Sequence, residues 1–182
     1  MTFYSIVRQW CRTYKYMLDN PRNGNRRFYF TDSTAGLVEM AKGIANAMSP
    51  CVIMESSVEG GGTFTKPNRD YAIYFFVRAS DMADGDAAAV AKEKAWFHAR
   101  NFLTWLYQKR EDEVARNIAG DFALIDLDNT MLDFTTVGPM ENGWFGVLVQ
   151  LERMEPLNLC VDEDLYIYCD EPCTDSDSDS SD

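Results

Sequence analysis

Arg69-Asp-Tyr-Ala-Ile-Tyr-Phe-Phe-Val-Arg-Ala79 is the stretch on which the fold turns. Tyr71, Ile73, Phe75 and Val77 alternate with Ala72, Tyr74, Phe76 and Arg78, the two-residue period of a β-strand. Both sets are apolar over most of the length, so both faces expect cover and the strand belongs in the middle of a sheet. Asp81–Asp86 breaks it. From Ala87 to about Asn117 the period changes to that of a helix, with Ala88, Ala91, Ala95, Ala99, Phe102 and Leu106 in one stripe. The alanines permit close approach to a sheet. Val90, Trp96, Phe97, Leu103 and Tyr107 widen the apolar surface beyond that stripe, for a broad buried face or for contact with a neighbouring subunit.

Upstream, Phe3, Ile6, Val7, Trp10, Tyr14, Met17 and Leu18 recur at helical spacing and predict a first helix that Asn20-Pro21 stops. Arg27–Thr31 reads as a short strand. Asp32 or Ser33 can cap a second helix carrying Leu37, Ala41, Ile44, Ala45 and Met48, ended by Ser49-Pro50. Cys51–Met54 is a further strand. Glu59–Asn68 holds three consecutive glycines and a proline, predicting a mobile loop or an open hairpin. A phosphate-binding loop would need Gly-Lys-Ser/Thr opening a helix; here Thr65-Lys66 runs into proline and then a strand.

Downstream of Gly120 the sequence predicts a strand at Asp121–Leu127, a polar bend and a run near Leu132–Val137. Turn signals follow at Gly138-Pro139 and Glu141-Asn142-Gly143, then a strand at Trp144–Arg153. The expected fold is therefore α+β: a single domain with a mostly antiparallel or mixed sheet of about four to six strands on two or three helices. It occupies residues 1–156, followed by an acidic extension at 157–173 and an Asp/Ser tail at 174–182 that is expected to be disordered.

The chain has 182 residues, a formal charge of −12 and 46% hydrophobic residues, enough for one core. No apolar run reaches the roughly 18 to 20 residues of a bilayer span. The N-terminus does not read as a secretory signal, so the cytosol is the expected compartment. Residues 1–27 carry six basic side chains against one acid, a net +5, whereas residues 154–182 carry ten acids and no Lys or Arg, a net −10. This polarity allows a positive face of one copy to attract the negative tail of another, or simply a solvated tail. The acidic excess argues against a general nucleic-acid binder, which needs Lys and Arg for phosphate. Cys11 and Cys51 sit in apolar patterns and read as core. Cys160, Cys169 and Cys173 lack the tight pair and fourth ligand of a zinc site. His98 reads as a packed or surface histidine. No metal or cofactor is expected.

Phe122-Ala-Leu-Ile-Asp-Leu-Asp-Asn-Thr-Met-Leu132 resembles the nucleophile motif of haloacid-dehalogenase phosphatases. In that family a strand delivers Asp-x-Asp-x-Thr, and Asp126, Asp128 and Thr130 match it as nucleophile, general acid/base and third position. The remainder of the chain argues against the chemistry. Only 52 residues follow Thr130. The last lysine is Lys109, Arg153 is the only basic residue after the motif, and no later acidic pair is placed to hold magnesium. A bare carboxylate would repel a phosphate dianion. A polar strand end and bend explains the same residues.

The order of elements is similar to that of the small α/β proteins at the head–tail junction of tailed phages, above all the tail terminator family. The likeness covers residues 1–160 and rests on three parts: Pro50-Cys-Val-Ile-Met-Glu55 after a helix, the long helix after Arg69–Ala79, and Asp126-Leu-Asp-Asn followed by Val137-Gly-Pro-Met-Glu-Asn-Gly-Trp-Phe-Gly-Val-Leu-Val-Gln-Leu151. The resemblance implies a non-enzymatic virion protein that forms a ring, commonly of six subunits. Such a ring caps the tail tube and joins it to the neck, after assembly in the host cytoplasm. Implied partners are copies of itself, the tail tube protein and neck or connector proteins; DNA would pass through without specific binding, and no membrane is involved. Gly60, Gly61, Gly62, Phe64, Trp96, Asn142, Gly143 and Trp144 are the expected interface residues. A competing expectation is a small acidic interaction protein that mimics nucleic acid to inhibit a basic partner.

Overall fold

The computed structural model describes residues 2–31, 48–55, 60–63, 66–118, 120–125, 127 and 134–154. The second predicted helix and both C-terminal segments lie outside the described residues. The described residues form eight main elements: α1 (Phe3–Thr13), β1 (Phe28–Thr31), β2 (Cys51–Glu55), β3 (Gly60–Thr63), β4 (Lys66–Arg78), α2 (Gly85–Ala115), β5 (Phe134–Met140) and β6 (Trp144–Met154). They form one α+β domain around a mixed six-stranded sheet.

The sheet runs β1-β2-β4-β6-β5, with β3 also on β4. β1 and β2 are parallel and every other pair is antiparallel. As its two apolar faces require, β4 is central. It is covered along one edge by β6, from Asn68↔Met154 to Arg78↔Trp144, and along the other by β2 and β3. The Gly-rich segment is thus an open hairpin: Gly60, Gly61 and Gly62 lie opposite Arg69, Asn68 and Pro67.

Alternation along β4 sorts the core. Tyr71, Ile73, Phe75 and Val77 face α1 and α2. Ala72, Tyr74 and Phe76 join Cys51, Ile53 and Trp144 in a second buried cluster. On the first face, Ala91, Ala95 and Ala99 let the α2 backbone lie close to the strands, and Phe102 and Leu106 fill beyond them. Trp10 of α1 joins the layers, its ring 5.9 Å from Phe75 and 5.2 Å from Phe102. Removing such a side chain costs about 3–5 kcal/mol through lost burial and the cavity left behind.

Three sequence expectations need correction. The first helix ends at Thr13 and does not reach Leu18. The Thr13 hydroxyl donates to the carbonyls of Gln9 and Trp10, Tyr14 is extended and stacks on Trp10, and Leu18 has a positive φ of 47°. Met17 is still buried, because the turn folds back onto the core.

The segment after Gly120 is not a strand. Residues 121–124 form turns and Ile125 makes a single bridge to Arg153. The Glu113 carboxylate near the end of α2 accepts the N–H groups of Phe122 and Ala123, both at 2.9 Å, taking the donors a ladder would use. β5 is the main partner of this edge of β6, over Trp144–Val149, so the turn segment meets only the far end, where the Met154 N–H donates to the Leu124 carbonyl.

Gly138-Pro139 does not turn the chain. It sits inside β5 at a register shift between Val137 and Met140, and the reversal comes at Glu141–Gly143. Gly138 has φ of 113°, and a Cβ there would lie 2.8 Å from the Trp144 carbonyl oxygen, so glycine makes the irregularity possible.

Candidate functional site

The two segments expected to reach neighbours stand at opposite ends of the sheet. The β3–β4 hairpin carries Gly60–Gly62 beside Asn68 and Arg69, while Phe64 lies outside the described residues. The Asn142-Gly143 turn sits by the other end of β4: Arg78 Nε donates to the Asn142 carbonyl at 3.2 Å, and the Ala79 N–H donates to that of Gly143 at 2.9 Å. β4 has 13 residues, so at 3.3 Å per residue the two ends are about 40 Å apart. Asn142 is exposed, with a left-handed φ of 64°. Gly143 is buried, where any Cβ would collide with Met82. Trp144 is 2% exposed and packs in the second cluster, so it is a core residue of the free chain. Trp96 is half-buried against the main core.

α2 carries apolar residues on the side turned away from the sheet. Val90, Phe97, Tyr107 and Val114 are each about half exposed. The sequence allowed either a broad buried face or an outward one for this surplus; Trp96 and Leu103 pack inward, and Val90, Phe97 and Tyr107 point out. Phe97 continues onto exposed Tyr16, with ring centroids 6.0 Å apart, so the patch bridges α2 and the turn after α1.

Beneath that patch His98 is 6% exposed. Its Nδ1 is 3.1 Å from the Tyr14 hydroxyl. Burial, helped by the positive charges of Lys94 and Arg27, lowers its pKa to about 4, so the ring is neutral at pH 7 and Nδ1 can accept from Tyr14. This is a packed histidine.

A second surface feature is basic. Arg8, Arg12, Leu18, Asp19, Asn20, Pro21 and Arg22 line an open groove of about 690 Å³ along the outer face of α1 and the turn after it. A shallower depression of about 250 Å³ shares Arg8 and Arg12 and adds Tyr4, Ser5, Gln9 and Thr13. Arg8 and Arg12 are one helical turn apart, and neither they nor Arg22 has an ion pair among the described residues. Asp19, the one acid among the described lining residues, is 4% exposed and turned inward. Its Oδ1 accepts the N–H groups of Arg27 and Phe28 at 2.7 and 3.0 Å. The positive charge of residues 1–27 was legible in sequence. Its convergence was not, since Arg22 joins the helix arginines only through the turn at Leu18–Gly24.

Asp126, Asp128 and Thr130 lie outside the described residues. The residues that should deliver them are turns, and Arg153 is buried and pairs with Asp121 at 3.1 Å. The only basic residue after the motif is therefore engaged in holding the turn to β6. Cys11 and Cys51 are buried free thiols, as their apolar context predicts; Cys160, Cys169 and Cys173 lie outside the described residues. Among the described residues no group of three His, Cys, Asp or Glu could hold a metal ion. No described helix is long and apolar enough to cross a membrane. No protein-family model matches the chain, and no curated protein matches it in sequence.

Proposed function

We propose that this protein is a self-assembling structural subunit of the head–tail junction of a tailed phage, tail terminator-like, that forms a ring capping the tail tube and joining it to the neck. The observation that carries the reading is the set of outward apolar side chains on α2, Val90, Phe97 and Tyr107, with Tyr16 adjoining Phe97, on a domain whose helices already bury a full face against the sheet. A face of this kind lowers its free energy by meeting another protein surface. Two contact regions about 40 Å apart along one stiff strand give a subunit two ends for neighbours above and below. The net charge of −12 suits a conduit through which DNA slides without sticking.

Sizing chromatography with light scattering, followed by negative-stain electron microscopy, tests the reading. The expected result is a closed ring that falls apart in the double variant Phe97→Ser/Tyr107→Ser, with the folded circular dichroism signal retained. A monomer at several hundred micromolar overturns it. A salt-sensitive one-to-one complex with a basic protein in place of a ring would instead favour the acidic inhibitor.

A further inference from the structure

The arginine groove on α1 is unexplained by ring formation through α2, and the three arginines that line it, Arg8, Arg12 and Arg22, have no carboxylate partner among the described residues. Arginine at such a site favours planar anions, because its fork donates two parallel N–H bonds to one carboxylate. The inward Asp19 carboxylate, already bonded to backbone N–H groups, leaves the solvent side of the groove positive.

We propose that this groove is the binding site for the chain's own C-terminal segment, Thr174-Asp-Ser-Asp-Ser-Asp-Ser-Ser-Asp182. Composition, reach and tethering select this occupant. First, the segment alternates carboxylates with small hydroxyl side chains: the acids match Arg8, Arg12 and Arg22, and the serines fit between them without bulk. Polar Asn20 and Thr13 at the groove and its shallow continuation offer partners for the hydroxyls.

Second, the tether is long enough. Residues 155–173 separate the end of β6 from the segment. Nineteen residues can span roughly 60 Å, whereas a domain of this size is roughly 40 Å across. Third, a tethered ligand is present at an effective concentration in the millimolar range, above that of tails on other copies in dilute solution. Binding within one chain is therefore favoured.

The test uses the full chain with a photoreactive phenylalanine analogue in place of Ser178. After irradiation, cross-linked peptides are mapped by mass spectrometry at low ionic strength and again in 0.5 M salt, where the Debye length is only about 4 Å. The expected cross-links fall within Tyr4–Arg22. Their yield drops several-fold in high salt and in the full-length variant Arg8→Gln/Arg12→Gln/Arg22→Gln, but not in Arg100→Gln on the exposed side of α2. Mixing isotopically heavy and light chains gives only heavy–heavy and light–light pairs. Cross-links elsewhere on the surface, a yield indifferent to the three arginines, or abundant heavy–light pairs would each overturn the proposal.

Discussion

Lowering the pH should weaken this fold through His98 in a way that a single substitution can isolate. The ring is 6% exposed, and its pKa is lowered from 6.5 to about 4 by burial and by Lys94 and Arg27. In the unfolded chain it titrates near 6.5. Between these two values the unfolded state binds a proton that the folded state refuses, so stability falls as pH drops through this window. At 1.36 kcal/mol per pH unit the full displacement corresponds to about 3 kcal/mol, an upper bound reached only near pH 4. Above pH 6.5 the contribution is flat. His98→Asn removes the titration while its side-chain oxygen can still accept from Tyr14. Urea unfolding from pH 8 to pH 4 should show the wild type losing about 2–3 kcal/mol more than the variant, after each is referred to its own value at pH 8. Carboxylates titrate identically in both and cancel. Parallel stability curves for the two proteins would refute the burial argument.

Other consequences follow from the core. A Cβ on Gly146 would sit 2.5 Å from Phe76 Cδ1, so Gly146→Ala should destabilise by about 1–3 kcal/mol through overpacking of the second cluster, measured by chemical denaturation. Burial raises the Cys11 thiol well above its ordinary range, with Asp19 adding to it, and pushes Cys51 up to about 12. Both should therefore resist iodoacetamide in the native protein at pH 8 and react only in denaturant, as peptide mass spectrometry would show.

Much of the α+β architecture was legible because the relevant signals are local. Alternation in Tyr71–Val77 specifies a strand with two buried faces wherever the chain places it, and the alanine stripe of α2 specifies a helix that lies close to a sheet. The errors came where tertiary partners compete with local preference. Phe122–Leu127 has the apolar composition of a strand, yet the Glu113 carboxylate captures two of its N–H groups and β5 takes most of the β6 edge. Tyr14, Met17 and Leu18 keep helical spacing, yet the chain leaves the helix at Thr13 because the turn can bury Met17 and tie Asp19 to the start of β1.

The candidate surfaces divide in the same way. Sequence showed that α2 has more apolar residues than one stripe needs, but could not say which of them turn outward. That depends on which side of the helix meets β4 and β6, a matter of sheet order and strand length. Sequence likewise showed a basic start and an acidic end.

What the linear chain settled by itself is that α1 and α2 are helices, that β1, β2, β4 and β6 are strands, and the sign of charge at each end, because periodicity and composition act over a few residues. The joining of Arg22 to Arg8 and Arg12, the inward turn of Trp144 and the outward turn of Phe97 were decided only in three dimensions. Each requires residues far apart in sequence to compete for the same volume, and close packing admits one arrangement.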